Sequence, residues 1–90
     1  MLGAAEAFQR AQAALADGKL DDAARLFRLV SEKAETDTAS LIHLGQIEAR
    51  LGHPRAAEAA WRKALLRQPA NISALAFLAD HLAAGAPGLS

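Results

Sequence analysis

The sequence predicts an all-α fold of five helices, arranged as antiparallel helix-turn-helix units stacked side by side. Three observations carry that expectation. First, two stretches repeat each other at an offset of 34 residues: Gly18 recurs as Gly52, Ala23 as Ala57, Phe27 as Trp61 and Val30 as Ala64. The register extends through Ala11 with Gly45, Leu41 with Leu75 and Leu44 with Leu78. A fixed period of this length marks a stacked helical array, in which each unit buries its apolar face against the next. Second, apolar residues recur at three- and four-residue intervals, as in Leu41, Leu44, Ile47 and Leu51, while runs of β-branched residues and strict alternation are missing. Third, turn-forming residues divide the chain at regular places.

Taken in order, the first helix starts near Ala4 and is closed by Asp17-Gly18. The second carries Asp21 and Asp22 in its first turn, where they favour the positive end of the helix dipole, and stops before Glu35-Thr36-Asp37. The third ends at Gly52-His53-Pro54, with Gly52 suited to the left-handed residue that terminates a helix. Pro54 then opens the fourth, since its missing N–H would have had no partner in a first turn. Lys63 and Arg67 lie toward the negative end of that helix. Gln68-Pro69-Ala70-Asn71 leads into the fifth, from Ile72 to about Ala84, and Asn71 reads as its cap rather than as a glycosylation acceptor. The acid-first pairs Glu6 with Arg10, Asp21 with Arg25 and Glu58 with Arg62, each worth about 0.2 to 0.5 kcal/mol, mark solvated faces. The expected organisation is one domain over 1–84, with repeat one over about 4–37, repeat two over about 38–71, a single terminal helix over about 72–84, and a frayed tail over 85–90.

At 90 residues the chain makes one small domain, which buries only about 60 to 65% of its unfolded surface. It has no cysteine, so disulfides and thiolate metal sites are excluded, which fits a reducing compartment. Basic and acidic residues balance at ten each without long like-charge blocks, arguing against nucleic acid and anionic membrane as partners. The start, Met1-Leu2-Gly3-Ala4-Ala5-Glu6, lacks a secretory layout, and no apolar run reaches membrane-spanning length, so the expected location is cytoplasmic. The alanine and arginine bias, with only three lysines, fits a bacterial, GC-rich source.

Leu41, Leu44, Gly45, Gly52, Ala57, Trp61, Ala64 and Pro69 stand in the order and spacing of a tetratricopeptide repeat, and the segment from Thr38 to Pro69 strongly resembles that family. Repeat one keeps Ala11, Gly18, Ala23, Phe27 and Val30, but has Arg10 and Ala7 at two large-residue positions and Glu35 for the closing proline. The first helix of an array has no upstream neighbour and tolerates such departures. The terminal helix supplies Leu75, Leu78, Ala79 and Leu82 in register. The resemblance covers about two and a half repeats and implies a short right-handed α-solenoid. Physically, small residues at Ala11, Gly45 and Ala79 would let paired helices approach, and Phe27 and Trp61 would fill the space between units. Trp61→Ala should cost about 3 to 5 kcal/mol.

The resemblance also implies a ligand in the groove lined by the first helix of each unit. Carried over to this sequence, that groove comprises Phe8, Gln9 and Gln12; Ile42, His43, Gln46, Ala49 and Arg50; and Ser73, Phe77 and Asp80. Phe8, Ile42 and Phe77 would form apolar patches, although Phe8 and Phe77 serve equally well to complete a small core. Gln46 and Arg50 could bond a peptide backbone or acid, while Arg50 also suits a helix C-terminus. The clamp that some members use for chaperone-tail carboxylates needs lysines and asparagines where this chain has Phe8, Gln12, His43, Ser73 and Phe77, so that activity is not expected. Arg55, Arg62, Lys63 and Arg67 read as a basic stripe on a solvated face. Glu48 stands where the family often has an aromatic. It is either bonded within the repeat or turned toward a neighbouring chain.

In the fifth helix, Leu75, Leu78 and Leu82 form a face whose partner helix in a full repeat is absent here. Four arrangements would cover it: a longer parent array, two copies packed about a two-fold axis, a helix from a partner, or a tilt of the helix onto helix four. His43, His53 and His81 have no metal-ligand spacing, and neither a catalytic motif nor a cofactor loop is present. The expected function is a non-catalytic scaffold or adaptor that binds a protein or peptide in the groove and self-associates as a homodimer through the last helix. The alternative is an accessory region of a larger enzyme or secretion component.

Overall fold

A computed structural model of the chain describes residues 3–34 and 37–84. The expectations placed on Met1-Leu2, on Glu35-Thr36 and on the 85–90 tail lie outside the described residues. Five helices form where the sequence places them: α1 (Ala4–Ala16), α2 (Leu20–Lys33), α3 (Ala39–Arg50), α4 (Pro54–Arg67) and α5 (Ile72–Ala84). No strand occurs among the described residues. Each helix packs on the next, and α3 also touches α5. Connections this short between packed helices make neighbours antiparallel, so α1, α3 and α5 form one layer and α2 and α4 the other. The Cα extents of 46 × 28 × 16 Å agree. Two helices with axes about 8–10 Å apart, each with a Cα radius of about 2.3 Å, account for the smallest dimension.

The 34-residue period extends to the backbone. Gly18 and Gly52 have φ of 77° and 80°, the left-handed conformation that favours glycine. Gly18 N–H donates to Leu15 O and Lys19 N–H to Ala14 O; at the next turn Gly52 donates to Ala49 O and His53 to Glu48 O. Both turns thus close a Schellman motif, which satisfies the last carbonyls of α1 and α3. Helix starts repeat as well. The Asp37 carboxylate accepts from Ser40 N–H and Oγ–H, and the Asn71 side-chain oxygen accepts from Ala74 N–H, so Asn71 caps α5 as its sequence position suggests. Pro54 occupies the first turn of α4.

Small residues let the layers close. Ala11, Ala23 and Ala57 are fully buried, and Gly45 lies against the Trp61 ring so closely that a Cβ there would stand 2.3 Å from Nε1. Phe27 is fully buried between α1 and α3, and Trp61 is buried with its Nε1–H donating to Ile42 O at 3.4 Å. Glu48 anchors two polar ties, one between the units and one within its own. Glu48 is buried, accepting from Arg28 of the preceding unit at 3.1 Å and lying 3.2 Å from His53 Nδ1 of its own turn. Both ties stay within this chain.

Arg67 departs from expectation. It belongs to no solvated stripe with Arg55, Arg62 and Lys63, which are exposed; it is half-buried, donating to Ser31 O, Ala34 O and Asp37 O at 2.9, 3.3 and 2.8 Å. The charge therefore offsets the negative end of α2 rather than only that of its own helix. One surface pair also differs: Arg25 bonds Asp22 instead of Asp21, while Glu6–Arg10 and Glu58–Arg62 form at 3.8 and 3.5 Å.

Candidate functional site

The α1/α3/α5 layer carries the residues assigned to a groove, and the fold divides most of them into two groups. Six line a furrow between α1 and α3, two more pack at the α3/α5 contact, and Ala49, Ser73 and Asp80 stand exposed. At one end Phe8 and Gln12, with Gln9, border a depression of about 480 Å³ that reaches Asp37 and Ala39. At the other end His43, Gln46 and Arg50, with Leu15 and Ile47, line one of about 300 Å³. The rings of Phe8 and His43, 6.4 Å apart, stand between them.

Phe8 and His43 are both half-buried and serve packing as well as surface. Phe8 meets Phe27 edge-on at 5.7 Å, and the His43 ring stacks on Phe27 at 5.0 Å. The trio ties α1, α2 and α3 together and fixes the furrow's walls. Gln12 and Arg50 are exposed and Gln46 is half-buried. Gln12 and Gln46 stand one repeat apart, so each unit offers the furrow an amide with both donors and acceptors. Arg50 is the only charged side chain lining its depression, and among the described residues it has no carboxylate partner. Asp37, at the opposite end, is occupied by the cap of α3.

Ile42 and Phe77 form the second group, at the α3/α5 contact. Ile42 packs on Leu41, Ala64 and Ala74, and Phe77 stacks on Trp61 at 5.8 Å, with His81 edge-on to the same ring at 5.4 Å. Both are half-buried, so Phe77 holds α5 in place whatever else it contacts.

Two of the three α5 leucines expected on a self-association face remain open, and Leu78 does not. Leu75 and Leu82 are 47% and 43% exposed, Leu78 is half-buried, and Ala74 is the one fully buried residue of the helix. Packing of α5 on α4 thus leaves its outer face uncovered. Two more large apolar residues are exposed at this end of the array, Leu66 on α4 at 83% and Ile72 on α5 at 81%, and sequence reading did not single them out. The signal was present in the repeat, where Ser31-Glu32 becomes Leu65-Leu66 one period later.

Among the described residues no three histidine, aspartate or glutamate side chains converge, and no helix is long and apolar enough to cross a membrane. Comparison with protein-family models and with curated proteins finds no match to this chain.

Proposed function

We propose that the chain is a tetratricopeptide-type, non-catalytic interaction module of the cytoplasm, which holds an extended peptide segment along the α1/α3 furrow. The observation that carries this reading is the pair Gln12 and Gln46, repeat-equivalent amides on one furrow, with Arg50 at its end and without a carboxylate partner among the described residues. Amides match the alternating N–H and C=O groups of an extended backbone, and a guanidinium takes a carboxylate in two parallel hydrogen bonds. The ligand is therefore a peptide with an acidic side chain or chain terminus near Arg50. Support for the family comes from the eight residues at tetratricopeptide spacing and the turns and caps recurring with the same period.

The test is selection from a random peptide library displayed on phage, followed by fluorescence anisotropy with the selected peptides. Gln12→Ala, Gln46→Ala and Arg50→Ala should each weaken binding roughly five- to twentyfold, about 1 to 1.8 kcal/mol, at unchanged melting temperature. Phe77→Ala is a poor probe, because it also removes the Trp61 contact. Selected peptides that bind Gln46→Ala and Arg50→Ala at full affinity, or a library that yields no binder, would refute the furrow.

A further inference from the structure

We infer that the outer face of α5 is the contact surface for a second copy of this chain, whose own α5 lies antiparallel against it about a two-fold axis near Ala79. The first observation is how the array treats the equivalent place one repeat earlier. There, residues of α2, α3 and α4 converge, with Ser31, Glu32 and Glu48 on the walls and α4 filling the furrow between its predecessors. One period later those three wall residues are Leu65, Leu66 and Leu82. The furrow left open is thus more apolar than the one the chain fills itself, the reverse of what a solvent-facing end requires.

The second observation is the make-up of the face. At about 100° per residue, Ile72, Leu75, Ala76, Ala79, Leu82 and Ala83 fall within about 60° either side of Ala79. All six are apolar and exposed. All four large hydrophobic side chains that stand exposed among the described residues, Leu66, Ile72, Leu75 and Leu82, lie at this end of the array. Three alanines in the row permit close approach of helix backbones, as Gly45 and Ala57 do inside the array.

The occupant follows from charge and symmetry. The opposite end of the molecule offers an open furrow of about 780 Å³, but its rim carries Arg10, Asp17, Lys19, Asp22 and Arg25. Head-to-tail stacking would bury those charges against leucine and alanine, which is costly. The α5 face instead complements itself. A two-fold axis perpendicular to α5 makes the partner's α5 antiparallel, the relation every helix here has with its successor. Centred on Ala79, it sets Leu75 beside the partner's Leu82 and Ala76 beside the partner's Ala83. This contact lies away from the peptide furrow and does not depend on it.

The experiment is light scattering after gel filtration over a roughly hundredfold concentration range, with two sets of variants. The wild-type chain should run as a dimer, and Ala79→Glu or Leu66→Lys should weaken the dimer at least tenfold while circular dichroism stays helical. The chain has no cysteine, so Ala79→Cys can be oxidised cleanly. It should give a disulfide-linked dimer because the axis brings the two substituted positions within bridging distance, whereas Ala13→Cys on exposed α1 should not. A wild-type monomer at every concentration overturns the proposal and leaves the face to a helix of another chain. A dimer that cross-links through Ala13→Cys and not through Ala79→Cys overturns it as well.

Discussion

Gly45 and Trp61 are a matched pair: the indole of α4 occupies the volume that any side chain on Gly45 of α3 would need. A Cβ there would stand 2.3 Å from Nε1 and 2.6 Å from Cδ1 and Cε2, well inside contact distance. The ring cannot retreat easily, because it is buried and Phe77 stacks on it.

Helix propensity and packing therefore pull Gly45→Ala in opposite directions. Alanine gains about 1 kcal/mol in a helix interior, but overpacking a core costs about 1 to 3 kcal/mol and here acts on a rigid aromatic. We expect net destabilisation of about 1 to 2 kcal/mol in urea unfolding. The penalty should shrink by at least 0.5 kcal/mol in a Trp61→Phe background. A stabilised Gly45→Ala variant would show that the two helices part without cost.

Arg67 binds three backbone carbonyls, one at the end of α2 and two in the linker to α3. Hydrogen bonds from a charged donor are worth about 1.5 to 3 kcal/mol, reduced here because the side chain is only half-buried. Arg67→Ala should lower stability by about 2 kcal/mol. Arg67→Lys should recover only part, since one ammonium cannot reproduce a fork whose two nitrogens reach Ser31 O and Asp37 O together. A loss under about 0.5 kcal/mol would mean that water replaces the clasp.

What the sequence made legible and what it hid divide along range. The five helices, Asn71 as a cap, Pro54 at a helix start and Gly52 at a helix end are local matters, decided within a turn of chain. The 34-residue repeat added the order of packing, and the contacts of Phe27 with α3 and of Trp61 with α5, each across the boundary between units, followed from it. The Arg67 clasp spans 30 to 36 residues and leaves no periodic mark, because its repeat equivalent is Lys33. The furrow was legible as a row of positions; that Ile42 packs on Leu41, Ala64 and Ala74, and Phe77 on Trp61, instead of sharing it depends on how deep each side chain sits.

Gly18 and Gly52 offer a test of the repeat itself. Both have positive φ and no atom within 4 Å of where a Cβ would be, so replacement by alanine meets backbone strain alone. Gly18→Ala and Gly52→Ala should each cost about 1 to 2 kcal/mol, nearly equal, and should add within about 0.5 kcal/mol in the double variant. Unequal costs would mean that the two turns share a conformation but not an energetic role.

Glu48 and Arg28 join the two units, with the carboxylate buried and the guanidinium half exposed. Removing the acid leaves a solvated arginine, which is tolerable; removing the arginine leaves a buried carboxylate with only His53 beside it. Arg28→Ala should therefore destabilise by about 1 to 2 kcal/mol, and a double-mutant cycle with Glu48→Ala should give about 0.5 to 1.5 kcal/mol of coupling. Glu48→Leu should be nearly neutral, because an apolar side chain needs no partner and the repeat carries leucine at Leu82. A coupling indistinguishable from zero would reduce the pair to a surface contact.

Local stability should fall off along the array toward α5. Six residues of α3 are buried, whereas α5 buries Ala74 alone and is otherwise held by Phe77 and His81 against Trp61. Amide hydrogen exchange in dilute solution should find α5 opening at the lowest free energy of the five helices, and α3 near the global value. Raising the protein concentration should slow exchange in α5 selectively if its outer face meets a second copy, since association adds stability only to the state that presents that face. Uniform protection across all five helices at low concentration would mean that the aromatic contacts with Trp61 couple α5 fully to the core, and that the array unfolds as one unit.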